Sequence, residues 1–268
     1  MSGSSAKQSP GRLQLVYKCT ILRTVFTPPG VSHFSRYDTA RSRGARLYGH
    51  LYADILSGRL RPGEALSETR LADQHGISRT PVREVLQRLV KEGLLRVVPQ
   101  IGTFVAPINL ASVNGSQFIR EALECRAVRL AAERATRAQI AELRRQIVKQ
   151  TQAIKSEDHL TFFQLDEVMH RAILDIAGQP LVWSLIASVK AQLDRVRYLS
   201  LEDREWLTMI FRQHREIIGC IARHDPVGAD QAVQDHLRTV FSAISRIAQR
   251  HPEFFEDEPP IVLKQEFA

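Results

Sequence analysis

Cysteine is scarce in this chain, and Cys19, Cys125 and Cys220 lie about a hundred residues apart. That spacing suits neither a disulfide framework nor a C-x-x-C zinc knuckle, and it points to a reducing, cytoplasmic setting. Long apolar runs are missing too. Nothing approaches the roughly 18 consecutive apolar residues of a membrane span, so no membrane partner is expected. The apolar stretches 13–16 and 21–26 are interrupted by Lys18 and Arg23, with no small-residue cleavage pattern behind them, which argues against a secretory signal. No fixed-period repeat is visible, which excludes a solenoid or propeller.

What remains is an ordinary globular composition, 44% hydrophobic and 25% charged over 268 residues, enough for a small domain joined to a larger one. The net charge of +8 is unevenly spread: +5 over residues 1–42, +4 over 43–108, and −1 over the remainder. A basic front end suits a polyanion, because neutralising phosphates supplies most of the sequence-independent affinity for DNA. It also suits a solvated face, and charge alone does not decide between them.

Residues 1–42 lack periodicity and contain the Pro28-Pro29-Gly30 turn, so they read as a disordered basic extension. From Arg46 onward Leu47, Leu51 and Ile55 recur at helical spacing until Gly58 and Pro62-Gly63 turn the chain. Ser67 is placed to cap a second short helix, and Gly76 to end it in the left-handed conformation. Ser78 opens a third helix with Pro81 in its first turn, where a missing N–H costs nothing. Val82, Leu86, Leu89 and Val90 form the apolar stripe of that helix, while Arg79, Thr80, Arg83 and Gln87 occupy its other face. Gly93 ends it. Residues 95–98 and 103–105 are β-prone runs around a glycine-containing turn, the signature of a hairpin. Helix, helix-turn-helix and hairpin make a winged helix-turn-helix over 43–108.

Beyond Pro107 every segment reads as helical, at about 112–135, 137–155, 158–177, 180–199, 203–224 and 226–250. Turn and capping signals at Thr136, Ser156, Gly178-Gln179-Pro180 and Asp225-Pro226 separate them. The expected fold is therefore mainly α, a winged head followed by a six-helix bundle over 109–251. The acidic, proline-bearing segment 252–268 is expected to be an unstructured tail.

A recognition helix presents its N-terminal residues to base edges in the major groove. Arg79, Arg83 and Gln87 share one helical face, and Arg pairs bidentately with guanine O6 and N7. Ser78, Thr80 and the helix N-terminus suit phosphate oxygens, and Lys91 and Arg96 flank the same surface. In the bundle, Asp166 and His170 stand four apart and share a face, a spacing that can chelate a metal but more often makes a surface ion pair or a satisfied polar contact. His214 and His236 sit on later helices and could close a site. Three imidazoles and a carboxylate suit Zn²⁺, and also Ni²⁺, Mn²⁺ or Fe²⁺. Arg120 and Arg197 are candidate partners for a carboxylate ligand, or ordinary salt-bridge partners of Glu121, Glu124 or Asp194. Trp183, Trp206, Phe162 and Phe163 read as core or dimer packing.

The series Leu71-Ala72, then Gly76-Ile77-Ser78-Arg79-Thr80-Pro81-Val82-Arg83-Glu84, Leu86, Leu89, Glu92-Gly93-Leu94, and Pro99 through Gly102-Thr103-Phe104-Val105 resembles the GntR family of transcriptional regulators. The resemblance implies that Ser78, Arg79, Thr80 and Arg83 contact double-stranded operator DNA and that Gly102 lies at the wing tip. One departure stands out: members commonly carry a basic or polar residue before that glycine, whereas this chain has Ile101, with Gln100 as its substitute. The helical pattern with Asp166, His170, His214 and His236 resembles the FCD effector domain of the family's FadR branch. That resemblance implies a divalent metal at those four residues, and the expected function is a homodimeric repressor responding to a small carboxylate effector bound at that metal. Two other readings remain: a metal-dependent hydrolase or lyase fused to a DNA-binding head, and a constitutive DNA-binding dimer. The first lacks a base, because Glu167 points about 100° away from Asp166 around the helix.

Overall fold

In the computed structural model, which describes residues 36–256, Leu47, Leu51 and Ile55 are buried along one side of α1 (Arg36–Leu56). The helix starts ten residues before the point that periodicity marks. The expected disordered extension 1–42 is therefore corrected over 36–42, and the rest of it lies outside the described residues. Gly58 leaves α1 with a φ of 68°, which favours glycine.

Ser67 caps α2 (Glu68–His75) by accepting from the Arg70 N–H, and Gly76 ends it with a φ of 60°. α3 (Arg79–Lys91) follows at once and buries Val82, Val85, Leu86 and Leu89. The wing pairs β2 (Leu95–Val98) with β3 (Gly102–Val105) antiparallel, Leu95 opposite Val105 and Val98 opposite Gly102. A third strand, β1 (Ala65–Leu66), pairs with the other edge of β3, giving the order β1-β3-β2. Two residues are too few to show alternation, so this strand has no sequence signature.

The second domain contains α4 (Leu110–Arg134), α5 (Arg137–Lys155), α6 (His159–Ile176), α7 (Pro180–Val189), α8 (Ala191–Ser200), α9 (Arg204–Ala222) and α10 (Pro226–Arg250). The helix expected at 180–199 is two helices, so the six expected become seven among the described residues. Apolar periodicity runs through both halves and cannot register a break at one residue, Lys190. α4 packs against α10, α6 and α8. Its buried stripe has an unusual composition: Val113 at one end, Ala127, Val128 and Ala131 at the other, and Gln117, Arg120 and Glu124 between them.

α8 joins the two domains. Ala191 contributes to the core of the head, Arg195 donates to the Ala106 carbonyl at 2.6 Å, and Gln192 donates to the Gly93 and Pro107 carbonyls. The expected unstructured tail is corrected at its start. A 3₁₀ turn (Pro252–Phe254) buries Phe254 and Phe255, and Ile108 donates its N–H to the Phe254 carbonyl at 2.7 Å. Two aromatic rings bury enough apolar surface to order a segment whose acidic, proline-bearing composition suggests disorder.

Candidate metal centre and nucleic-acid interface

α6 contributes Asp166 and His170, α9 contributes His214 and α10 contributes His236, all buried. One ligand atom from each lies within 4.8 Å of the others. The structure thus gathers the four residues into a cluster that could hold a metal ion, although they are spread over 71 positions of sequence.

The outer hydrogen bonds determine which atoms face inward. His170 Nδ1 lies 2.5 Å from Glu124 Oε2, His214 Nδ1 lies 2.9 Å from Gln150 Oε1, and His236 Nδ1 lies 3.2 Å from Gln213 Oε1. All three partners accept, so each imidazole keeps its proton on Nδ1 and turns a lone pair inward at Nε2. The Nε2 atoms of His170 and His236 stand 3.2 Å apart. With both protons held on Nδ1, they face each other lone pair to lone pair. Two nitrogens bound to one tetrahedral ion at about 2.0–2.1 Å would stand roughly 3.3 Å apart. His214 Nε2 is buried without a hydrogen-bond partner and lies 2.9 Å from Asp166 Oδ1. The donor set therefore fits a divalent cation.

The charges agree. Burial works to raise the Asp166 carboxyl, but the Arg197 guanidinium holds it well below the usual carboxylate range. Burial lowers His214 and lowers His236 further, with the neighbouring imidazoles adding to the effect on His236. Burial also opposes ionisation of His170, yet Glu124 and Asp166 raise it. An anionic carboxylate and neutral imidazoles are the forms a metal takes.

Arg120 and Arg197 both reach this region, and neither is the surface residue of an ordinary salt bridge. Arg120 is buried and donates through Nε to Glu124 at 2.6 Å, holding the carboxylate that orients His170. Arg197 grips Asp166, Glu167 and Asp194. Glu167 is thus tied to Arg197 and Lys190. Phe162 and Trp206 are core residues that also line a cavity of about 40 Å³ beside the cluster, room for roughly three waters. Gln150 and Gln213 escaped sequence reasoning, and Glu124 entered it only as a salt-bridge partner of Arg120. Only Glu124, four residues after Arg120, carries a local signal.

In the head, Ser78, Arg79, Thr80, Arg83 and Gln87 are all exposed along one side of α3. Ser78 occupies the N-cap position of α3 without a side-chain capping bond. Arg83 makes two hydrogen bonds to Glu68, at 3.1 and 3.0 Å, and Arg79 reaches the same carboxylate at 3.4 Å. The wing turns through Pro99, Gln100 and Ile101, with Gln100 at a φ of 64°. Ile101 occupies the tip and is 73% exposed, and Gly102 pairs with Val98 below it.

The family model for bacterial regulatory proteins of the gntR family matches residues 43–105, and that for the FCD domain matches residues 117–239. An HTH-type transcriptional regulator from Streptomyces ambofaciens is 38% identical over 83% of this chain and 93% of that protein. The HTH-type transcriptional repressor RspR of Escherichia coli is 33% identical over 80% of this chain and 93% of that protein. Among solved structures, Escherichia coli McbR/YncC shares the fold with a TM-score of 0.65 at 24% identity, covering 78% of this chain and 98% of that one.

Proposed function

Because the chain belongs to the GntR family of DNA-binding transcriptional regulators and carries an FCD domain, we propose that it is a cytoplasmic, homodimeric repressor whose operator affinity is set by a small carboxylate at a divalent metal. The observation that carries this reading is the convergence of three Nε2 lone pairs and the Asp166 carboxylate, with every Nδ1 committed to an acceptor. Asp166, His170, His214 and His236 would hold the ion, Zn²⁺ or equally Ni²⁺, Mn²⁺ or Fe²⁺. The ion would supply a Lewis-acid anchor for the carboxylate beside the cavity.

Ser78, Arg79, Thr80, Arg83 and Gln87 would enter the major groove, and the wing turn with Gln100, Ile101 and Gly102 would lie against the adjacent backbone. Dimerisation is supported by exposed Phe118, Leu181 and Leu185 on the neighbouring helices α4 and α7, an apolar face that a second copy would cover. Two heads related by a two-fold axis suit a pseudopalindromic operator. The effector acts by binding one arrangement of heads better than another, since an equilibrium shifts only by differential affinity.

Elemental analysis of purified protein tests this reading. About one equivalent of a divalent transition metal per chain is expected in the wild type, and its loss in His214→Ala. Absence of metal in the purified protein, with no change in melting temperature on adding any of the four ions to chelator-treated protein, would refute it.

A further inference from the structure

The buried stripe of α4 places Gln117 and Arg120 one helical turn apart, both 2% exposed and both lining the cavity beside the metal cluster. Arg120 is satisfied by Glu124. Gln117 is not: its side-chain Nε2 and Oε1 are both buried without a hydrogen-bond partner. An amide offers two N–H donors and a carbonyl acceptor, and native proteins rarely leave all of them unmet in the interior. Val113 on the preceding turn of the stripe shows that an apolar residue packs at this depth. The charged side chains around the cavity do not share this vacancy. Arg197 is held by three carboxylates and Asp166 by Arg197.

We propose that Gln117 is the specificity residue of the effector site, selecting a small acid that carries, besides its metal-bound carboxylate, a neutral hydroxyl or keto oxygen. The unmet amide matches a neutral group that accepts from N–H or donates to C=O. A second carboxylate has no uncommitted cation to meet, because the guanidiniums of Arg120 and Arg197 already serve buried carboxylates. A plain aliphatic acid leaves the amide as unsatisfied as it is now. A site built to hydrogen-bond an oxygen discriminates against ligands without it, because its polar group then stays buried and unpaired. This assignment rests on the carboxylate-at-metal reading above.

Calorimetric titration of Zn²⁺-loaded full-length protein with butanoate, succinate and the 2-, 3- and 4-hydroxybutanoates tests it, alongside thermal melting without any acid. In the wild type at least one hydroxy acid should bind about 10- to 100-fold more tightly than butanoate or succinate. In Gln117→Met, close in shape, that preference should collapse to within about three-fold. The variant should also melt no lower than the wild type in the absence of acid, since an apolar side chain of like shape removes an unmet polar group. Gln117→Leu repeats the comparison should the methionine variant misfold. Each of these outcomes overturns the proposal: a preference that survives in Gln117→Met, which would mean the hydroxyl chelates the metal; tightest binding by succinate; or a variant melting several degrees lower without acid, which would make Gln117 structural. Wild-type protein that binds butanoate and the hydroxy acids equally overturns the role of Gln117 alone. If none of the five acids binds, the carboxylate-at-metal reading falls as well.

Discussion

Tyr52 donates its hydroxyl to Asp194 Oδ2 at 2.8 Å, joining the first helix of the DNA-binding head to α8 of the helical domain. Asp194 is fully buried, and its other oxygen accepts from Arg197 Nη1 at 2.7 Å. Arg197 in turn grips Asp166, a member of the cluster. Two side chains, Asp194 and Arg197, therefore connect Tyr52 of the head to the cluster without an intervening gap.

Replacing Tyr52 by Phe removes one link and leaves buried Asp194 with one donor fewer. A lost hydrogen bond to a charged group costs about 1.5–3 kcal/mol. The expected outcome is a lower melting temperature and faster amide exchange in α1, with metal content unchanged. Unchanged exchange in α1 would mean that the bond does not hold the head to the helical domain.

Glu68 pairs with Arg79 and Arg83, and under the proposed docking it would compete with DNA for both. Glu68→Gln should raise affinity for a random-sequence duplex several-fold at low salt and steepen the salt dependence by up to about one phosphate contact. Fluorescence anisotropy at two salt concentrations reads both quantities. Equal affinities would show that the pair opens without cost.

Gln150 holds His214 through its side-chain oxygen from α5, a helix that packs against α6 and α9 but carries no member of the cluster itself. Gln150→Leu should weaken metal binding about 10- to 100-fold while the protein stays folded. Competition against a chromophoric chelator measures the affinity. Wild-type affinity would show that His214 needs no partner for its orientation.

Phe254 packs against Gly58 so closely that a Cβ added there would lie 2.9 Å from the ring. Phe254→Ala should destabilise the chain by about 3–5 kcal/mol through lost burial and a cavity. Gly58→Ala should also destabilise it, since the φ of 68° disfavours alanine and the ring must move. Urea unfolding separates these from surface effects, which rarely exceed 0.5 kcal/mol.

Apart from the two-residue β1, the winged helix was legible from Leu47 to Val105, because local signals there coincide with the tertiary result: the stripe of α3, the Ser67 cap and the left-handed Gly76 each report on a few neighbouring residues. The cluster was legible in part. Asp166 and His170 are a local pair, whereas joining them to His214 and His236 required a resemblance, since residues on three helices share no spacing.

Sequence by itself determined the basic front end, the capped helices and the residue types able to bind a metal, all consequences of composition and of contacts within a turn or two. Tertiary structure alone decided that the 180–199 segment breaks at Lys190, that Phe254 returns to cover Gly58, and that each imidazole meets an acceptor at Nδ1. It also decided that Gln117 meets none. A hydrogen bond depends on two groups arriving at one point, and for residues far apart in the chain only the packing of helices sets that point.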